Sequence, residues 1–182
     1  MISQEIRTCV AHVRHRLFSK FRGGDLPLPP RPTAKVVLLA WLGGAIAISA
    51  VAGLTSLAEM PLVLGSFGAT CVLVFGYPDV PFSQPRNIVF GHVLSSLVGL
   101  ICLTVFGPHW WAAGIATGTA IAVMMLTRTV HPPAGSNPVI VFLSQPGWSF
   151  LLYPTLAGAS IIMILAVLYN NGTRPANYPK YW

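Results

Sequence analysis

Residues 127–146 read TRTVHPPAGSNPVIVFLSQP, and this stretch decides how the rest of the chain is interpreted. It is apolar enough to lie within a membrane. Yet it includes four side chains that an ordinary membrane-spanning helix lacks, namely Arg128, His131, Ser136 and Asn137. The prolines Pro132, Pro133 and Pro138 remove backbone N–H donors, and Gly135 tolerates unusual dihedral angles. The sequence therefore predicts that no continuous helix precedes Pro138 and that the backbone breaks here.

A break inside the hydrocarbon core leaves peptide groups without partners, which is tolerated only where protein or a water-filled cavity replaces lipid. Asn137 followed by Pro138 is typical of an N-cap and a first helical residue, so we expect a short helix to begin there. Its free N–H groups and the positive end of its dipole would favour an anion or a polar solute. The alternative is a surface loop between two spans.

The composition is that of an integral membrane protein. Of the 182 residues, 54% are hydrophobic and 8% are charged, and the mean hydropathy is +0.68. Soluble domains carry about 25% charged residues. The net charge of +7 comes mostly from the first 35 positions, which hold seven of the 11 Lys and Arg residues. This bias is a signal of membrane topology. It indicates a lipid bilayer as the partner and no nucleic acid.

The sequence has no motif for catalysis or for a bound metal. Its cysteines, at positions 9, 71 and 102, have no metal-ligand spacing with each other or with the histidines. Phosphate-binding loops, nucleophile elbows and paired carboxylates are also missing. We therefore predict no enzymatic activity, no catalytic residues, no metal site and no cofactor.

The first 33 residues are predicted to form a peripheral region. Apolar residues recur every three or four positions across residues 2–22, with arginines and a lysine between them. This pattern indicates a basic amphipathic helix lying on an anionic membrane surface, and an organelle-targeting presequence is the alternative. Residues 23–32, GGDLPLPPRP, form a stiff linker that cannot be helical. The apolar run that begins at Val36 is too long for a cleaved signal peptide and should remain in the mature protein.

Six apolar segments make up a predicted membrane domain at residues 34–170, and a polar tail covers residues 171–182. The segments lie at 36–58, 61–76, 88–106, 110–127, within 127–146, and 150–169. The second and the fifth are short, and each has a Gly-Ser break near its start. Interrupted short segments at matching places are typical of internally repeated transporters. The sequence predicts an all-α protein of two inverted three-segment repeats, about residues 34–107 and 108–170.

The placement of basic residues favours six crossings over four. With the N-terminus inside, six crossings put the N-terminal region and the remaining basic residues on the cytoplasmic side, namely Arg86, Arg128, Arg174 and Lys180. Four crossings would move two of these arginines outside. The positive-inside rule therefore predicts six crossings, with both termini cytoplasmic.

Three blocks of sequence resemble the HPP family of integral membrane proteins: GSFGATCVLVFG at 65–76, SQPRNIVFGH at 83–92 and HPPAGSNP at 131–138. That family is considered a transporter family and is usually assigned about four spans, which differs from the six crossings predicted above. Plastid and cyanobacterial relatives are associated with nitrite transport. The resemblance implies transport of a small inorganic anion, first of all nitrite. A plastid member would need a longer transit peptide than the 35 residues before the first span, so the bacterial inner membrane is the expected location.

The substrate site is expected where the two breaks and the loop before the third segment meet. His131 can hold a proton or donate to an anion near neutral pH, and arginine offers forked donors for an oxyanion. The expected substrate-binding residues are Gly65, Ser66, Gln84, Arg86, Asn87, Arg128, His131, Gly135, Ser136 and Asn137, with Pro132, Pro133 and Pro138 as a structural motif. Alternatively, the arginines only anchor span ends at the headgroups, and His131 caps a span or fills a polar gap. His92 is interpreted as a packing residue.

Two other functions remain open. Paired half-helices with Asn-Pro starts can also orient water, so a passive channel for a small neutral solute is one alternative. The other is a scaffold or sensor without transport, which would use the basic N-terminal helix to dock a partner. A chain of this size is also compatible with a homo-oligomer.

Overall fold

A computed structural model describes residues 26–58 and 63–182, and all regular structure within these ranges is helical. The α-helices there are α1 (Ala34–Ala58), α2 (Gly65–Cys71), α3 (Pro85–Phe106), α4 (Trp110–Leu126), α5 (Asn137–Ser144) and α6 (Ala157–Thr173). A π-helical turn, Val72–Gly76, prolongs α2, and the 3₁₀ turn Pro132–Ser136 leads into α5. Residues 148–156 lead into α6 through a 3₁₀ and a π-helical turn. The all-α prediction is confirmed.

The described helices fall into long and short ones. Three helical stretches are long and apolar enough to cross a membrane, namely Ala34–Leu57, Pro85–Phe106 and Trp148–Thr173. At about 1.5 Å per residue, the helical stretch 65–76 rises about 18 Å and α5 about 12 Å. Neither helix alone spans the ~30 Å hydrocarbon core of a bilayer, so a crossing at these segments needs the irregular backbone that flanks each helix. The second and fifth segments are therefore short, as the sequence predicted.

The backbone between α4 and α5 breaks for the reasons that the sequence gives. Arg128 takes a left-handed conformation, with a φ of 56°, just after α4 ends. His131 is extended, with φ −134° and ψ 99°, as expected for a residue that precedes proline. The two prolines that follow begin the 3₁₀ turn. The predicted break before Pro138 is confirmed.

The N-cap role predicted for Asn137 is wrong, although a short helix does begin at this residue. Because the 3₁₀ turn runs directly into α5, the backbone N–H of Asn137 donates to the Ala134 carbonyl and needs no capping side chain. The Asn137 side chain makes no cap hydrogen bond of its own helix. It points instead toward α3.

Three connecting segments meet at one side of the molecule, which we call the loop face: residues 77–84, 127–130 and 174–182. The backbone N–H of Lys180 donates to Gln84 Oε1 at 2.7 Å. Asn87 Nδ2, at the start of α3, donates to the Val130 carbonyl at 2.8 Å. These bonds place the end of the 65–76 stretch, the start of α3 and the ends of α4 and α6 on the same side.

The opposite side, the far face, is formed by the α3–α4 turn at residues 107–109 and by residues 145–147. Phe142 near the end of α5 packs with Cys102 on α3 and Ala112 on α4, so α5 runs away from the loop face. At the loop face, the Tyr169 hydroxyl of α6 donates to the Leu39 carbonyl at 2.8 Å, which places the start of α1 there. Successive segments therefore run alternately away from and toward the loop face.

The outer surface of the helices is apolar. Large hydrophobic side chains on it are more than two-fifths exposed, among them Phe90, Ile101, Val105, Ile115, Leu143, Ile164 and Leu168. Such a surface suits lipid rather than water.

Residues 33–182 form one compact unit, and residues 26–32 before it contain no helix. The amphipathic helix predicted for residues 2–22 lies outside the described residues, as do residues 61 and 62 of the second segment. The predicted domain boundaries stay predictions.

Candidate functional site

One face of α3 holds the broken segment 129–138. Asn87 Nδ2 donates to the Val130 carbonyl at 2.8 Å, and Ser95 Oγ donates to the Ala134 carbonyl at 2.6 Å. Residues three or four positions apart share one side of a helix. The residues of α3 on this side are Asn87, Gly91, His92, Ser95, Ser96 and Gly99.

Two glycines in this stripe let the broken segment approach α3 closely. A Cβ added to Gly91 would lie 2.7 Å from the Cβ of His131 and 3.0 Å from the Thr129 carbonyl oxygen. A Cβ added to Gly99 would lie 3.0 Å from the Cα of Pro138. The side chain of His131 therefore enters the space between α3 and α2.

A hydroxyl joins two buried histidines at this place. Thr70 Oγ1 on α2 lies 2.9 Å from Nε2 of His92 and 2.9 Å from Nε2 of His131. The two imidazole centroids are 5.0 Å apart, and none of the three side chains is exposed. The Ser66 carbonyl of the same helix is a second acceptor for the Thr70 hydroxyl, but at the longer distance of 3.2 Å.

The hydrogen bonds continue on both sides of this triad. Nδ1 of His131 lies 2.7 Å from the Phe82 carbonyl oxygen at the loop face. Nδ1 of His92 lies 3.1 Å from Asn137 Nδ2, which is also 2.9 Å from Ser96 Oγ. Ser96 Oγ is in turn 3.1 Å from the Thr155 hydroxyl. We call the buried group the central cluster: Ser66, Thr70, His92, Ser96, His131, Asn137 and Thr155.

The partners fix which nitrogen of each ring carries the hydrogen. A carbonyl only accepts, so Nδ1 of His131 donates to Phe82 and its Nε2 accepts from the Thr70 hydroxyl. That hydroxyl has one hydrogen, so Nε2 of His92 donates to Thr70 Oγ1. Nδ1 of His92 then accepts from Asn137 Nδ2, which also lies 3.3 Å from the His92 carbonyl and must be the amide nitrogen. The two rings therefore hold opposite tautomers.

Two buried atoms of the central cluster have no hydrogen-bond partner within the described chain: Ser66 Oγ and Asn137 Oδ1. Leaving a buried polar atom unpaired costs about 1–3 kcal/mol. Such atoms are rare in native proteins and call for a functional or structural reason.

No ionised side chain belongs to the central cluster. The predicted arginines lie at the loop face, where both are exposed. Arg86 Nη2 donates to the Thr127 carbonyl at 3.2 Å, next to Arg128 in the chain.

Both amide side chains of the predicted loop contribute to the loop face. Gln84 Nε2 donates to two carbonyls of its own loop, each at 3.0 Å, and its Oε1 accepts from the backbone of Lys180. Asn87 Oδ1 accepts from the Tyr181 hydroxyl at 3.0 Å. Both amides hold the loop and the tail in place.

The structure thus divides the predicted substrate residues into three groups. Ser66, His131 and Asn137 meet in the central cluster. The second group lies at the loop face: Gln84, Arg86, Asn87 and Arg128. The third group, which flanks the breaks with partial or full exposure, consists of Gly65, Gly135 and Ser136. The Ser136 hydroxyl donates to the Pro133 carbonyl at 2.8 Å.

Sequence reasoning missed Thr70, Ser96 and Thr155 and interpreted His92 as a packing residue. A signal was present in α3, because His92, Ser95 and Ser96 are polar residues of an apolar span that lie on one helical face. Polar residues inside a span usually face the bundle interior and mark a functional pathway. Thr70 and Thr155 gave no comparable signal, since isolated threonines are common in spans.

One cavity lies toward the far face and another lies at the loop face, and no residue of the central cluster lines either. The far cavity has a volume of about 350 Å³. Its lining comes from the start of α2, the end of α5 and the turns before α6, and includes Gly65, Ser144, Tyr153 and Pro154. The loop-face cavity, also about 350 Å³, is lined by Tyr77, Asp79, Asn170 and Arg174 among others.

An ion-pair group stabilises the loop face. Asp79 pairs with Arg174, and its Oδ1 lies 3.2 Å from Lys180 Nζ. Partial burial raises the pKa of the Asp79 carboxyl, but the hydrogen bonds and charges of Lys180 and Arg174 together outweigh burial and bring it below its ordinary value. Burial raises the pKa of the nearby Tyr178 hydroxyl, which donates to the Ser83 carbonyl.

The sequence profile described as HPP, transmembrane region, matches residues 29–179. The chain belongs to the HPP transmembrane family. The family resemblance expected from the three blocks is therefore confirmed. Within residues 26–58 and 63–182, no group of three His, Cys, Asp or Glu side chains that could hold a metal ion comes together.

Two relatives of this HPP chain are transmembrane proteins of Dictyostelium discoideum. One is 32% identical over 187 residues, which cover 96% of this chain and 66% of the relative. The other is 33% identical over 177 residues, which cover 91% of this chain and 57% of the relative. The chain spans less than two thirds of the length of either. No solved structure matches it significantly.

Proposed function

We propose that this HPP protein transports a small anion, first of all nitrite, through the place where its two short helices meet. One observation carries the proposal: the break at 131–138 and the short helix α2 share a buried polar centre, where Thr70 Oγ1 lies 2.9 Å from His131 Nε2. Irregular backbone at membrane depth is tolerated only inside protein or beside a water-filled cavity. Transporters place their sites at such paired interruptions.

The direction of the segments supports two inverted repeats. The first three segments run away from, toward and away from the loop face, and the last three run in the opposite order. The four described basic residues beyond α1 all lie at the loop face, which supports a cytoplasmic loop face and six crossings. We propose that the chain lies in a bacterial inner membrane with both termini cytoplasmic.

One end of the proposed route lies at the exposed arginines of the loop face. Arg86 and Arg128 raise the local concentration of anions at the loop face without binding them tightly. Ser66 Oγ is the donor of the central cluster that no protein atom uses, so it is the first candidate to hold the anion inside. Passage then requires the His131 segment to separate from α2, because the cluster is closed on both sides.

Nitrite uptake into proteoliposomes tests the proposal. We expect uptake by the wild type and its loss in His131→Ala. The matched control is His109→Ala, because His109 is exposed and stacks only on Trp111, so this variant should transport like the wild type. Arg128→Gln should raise KM for nitrite with little change in the maximal rate. Full uptake by His131→Ala would contradict the proposal.

A passive channel for a small neutral solute is the second candidate function. It is favoured by the composition of the central cluster, in which no side chain carries a charge for an anion to pair with. Uptake that increases linearly with solute concentration and ignores gradients would support the channel. Saturable uptake that competes with nitrite would support the anion carrier.

A further inference from the structure

We propose that His92 and His131, joined by the Thr70 hydroxyl, carry one proton across the centre of the membrane together with the anion, with the Asn137 amide as the switch. The inference rests on the proposed function in one respect: the proton is proposed to travel with the transported anion. The relay itself is argued from the hydrogen bonds of the central cluster.

The resting state is an ordered chain of donors. Each hydrogen bond runs in the same direction, from Asn137 to His92, Thr70, His131 and finally the Phe82 carbonyl. In such a chain, the two imidazoles and the Thr70 hydroxyl can each accept a proton on one side and release another on the opposite side. Histidine is suited to this role because either ring nitrogen can bind or release a proton.

The transfer conserves every proton. A proton that binds Nδ1 of His92 gives that ring two N–H groups. The Nε2–H bond of His92 then breaks and its proton joins Thr70 Oγ1, while the Thr70 O–H bond breaks and that proton joins Nε2 of His131. His131 releases its Nδ1 proton to water at the loop face, where Phe82 is 41% exposed. Rotation of the rings and the hydroxyl restores the starting bonds.

The Asn137 side-chain amide can stabilise the state in which His92 is protonated on Nδ1. When His92 carries a hydrogen on Nδ1, the amide nitrogen at 3.1 Å becomes a donor facing a donor. Rotation of the amide by about half a turn brings Oδ1, which has no partner at rest, to accept this hydrogen. One unpaired atom of the cluster therefore acquires a partner only when His92 is protonated.

Two hydroxyl groups extend from His92 toward the far cavity. Ser96 Oγ lies 2.9 Å from the Asn137 amide and 3.1 Å from the Thr155 hydroxyl. Thr155 follows Pro154 in the chain, and Pro154 lines the far cavity. In the proposal, the Asn137 amide must turn aside before a proton passes from these hydroxyls to Nδ1 of His92, because an amide N–H group does not relay protons.

Few other ionisable groups compete for this proton. Asp79, Arg174 and Lys180 form their ion pairs at the loop face. The remaining ionisable side chains of the elements packed against the two rings are Cys71, Arg86, Cys102, Arg128, Tyr153 and Tyr169. None of these hydrogen-bonds either imidazole, and both arginines are exposed.

A proton that travels with a monovalent anion removes a large energetic cost. An unpaired charge buried at membrane depth is unfavourable, whereas an anion beside a protonated imidazole forms a neutral pair. The proposed cargo is therefore one monovalent anion with one proton, and uptake should follow a pH gradient and not the membrane potential.

Nitrogen NMR of protein labelled at histidine and asparagine, in lipid nanodiscs, tests the relay without any cargo. At high pH we expect the Nδ1–H tautomer at His131 and the Nε2–H tautomer at His92. As the pH is lowered, the signals of both rings and of the Asn137 side-chain amide should change in the same transition. Identical tautomers, or rings that titrate independently, would overturn the relay.

Proteoliposome assays test the coupling. Nitrite and internal pH are followed together, with protein-free vesicles correcting for permeation of the undissociated acid. Thr70→Val should reduce proton uptake to the level of empty vesicles, and Thr70→Ser, which keeps the hydroxyl, should restore it. Thr117→Val is the matched control, because the Thr117 hydroxyl bonds only the Ala113 carbonyl of its own helix.

The outcomes separate the relay from the proposed function. Nitrite uptake without accompanying protons in the wild type would overturn the relay and leave anion transport standing. Opposite tautomers that titrate together in a protein that moves no nitrite would support the relay and overturn the proposed cargo. If Thr70→Val does not fold, the wild-type spectra and the proton uptake of Thr70→Ser still test the relay.

Discussion

The molecule contains two polar groups of very different character. The central cluster is neutral and unexposed, and its hydrogen bonds run in one direction. The second group, the loop-face cluster, is charged and wet: the Asp79 side chain is 51% exposed, and its partners are Arg174 and Lys180. Ionised groups stay where water solvates them, because burying a charge costs far more than burying a hydrogen-bonded neutral group.

The difference also determines how each cluster responds to mutation. In the central cluster, water cannot replace a lost partner, so removal of one group leaves its neighbours unpaired at a cost of about 1–3 kcal/mol. At the loop face, water replaces the lost partner, and exposed ion pairs contribute about 0–1 kcal/mol. Variants of the two clusters should therefore differ in both stability and transport.

The largest effect is expected from Gly91→Ala. The added methyl group would lie 2.7 Å from the His131 Cβ and 3.0 Å from the Thr129 carbonyl oxygen, which belongs to the backbone and cannot rotate away. Overpacking of this kind costs about 1–3 kcal/mol. We expect a lower unfolding temperature in detergent and loss of nitrite uptake.

Gly118→Ala is the matched control for Gly91→Ala. A methyl group on Gly118 meets no atom within 4 Å, so alanine should leave stability and uptake unchanged or slightly raise stability through its better helix propensity. Equal behaviour of the two variants would mean that the close packing of α3 on the broken segment does not matter.

A medium effect is expected from Asn137→Ala, compared with Asn171→Ala. Asn137 is unexposed, and its loss leaves Nδ1 of His92 without a donor. Asn171 is exposed at the loop face, where its Oδ1 accepts from the Tyr178 backbone at 3.1 Å and water can take its place. We expect Asn137→Ala to lower the free energy of unfolding by about 1–3 kcal/mol and to abolish nitrite uptake. Asn171→Ala should lower the free energy of unfolding by less than about 1 kcal/mol.

Chemical denaturation in mixed micelles measures the free energy of unfolding of both variants, and the proteoliposome assay measures their nitrite uptake. Should Asn171→Ala prove as damaging as Asn137→Ala, the contrast between the two clusters would have no energetic basis.

The smallest effect is expected from Asp79→Asn. The folded-state pKa of Asp79 is lowered, so its stabilising contribution is present above the unfolded pKa of about 3.9 and is lost as the pH falls through the folded-state value. At pH 7 the variant should be less stable than the wild type by under about 1 kcal/mol, and high salt should reduce the difference.

Unfolding midpoints at neutral and acidic pH check this expectation. The wild type and Asp79→Asn should differ at pH 7 and converge in acid. A difference that persists when the carboxyl is protonated would show that Asp79 acts through something other than its charge.

Much of the segment pattern could be predicted from local signals. Pro132 and Pro133 predict the break, and the Asn-Pro pair at 137–138 predicts that a helix begins there. The short apolar run before Gly76 predicts a helix that is too short to cross the membrane by itself. These features depend on backbone dihedrals and on missing donors within a few residues. Such local constraints are written directly in the sequence.

The residues of the site were harder to predict. His92 resembles any buried histidine in an apolar helix, and Thr70 resembles any threonine. The arginines at 86 and 128 were expected beside His131 and Asn137, whereas the structure places both at the exposed loop face, apart from the central cluster. The grouping depends on contacts across 22 to 61 positions of the chain, which no local pattern encodes.

By itself, the sequence determined that the chain is a helical membrane protein of the HPP type and where its backbone must break, since prolines, glycines and apolar length act locally. Only the tertiary structure decided that one hydroxyl of α2 lies between an imidazole of α3 and an imidazole of the broken segment, that the amide of Asn137 faces α3, and that every arginine beyond α1 lies at the loop face. The physical reason is that hydrogen-bond direction and desolvation depend on which atoms meet in space, and the close approach at Gly91 determines that meeting.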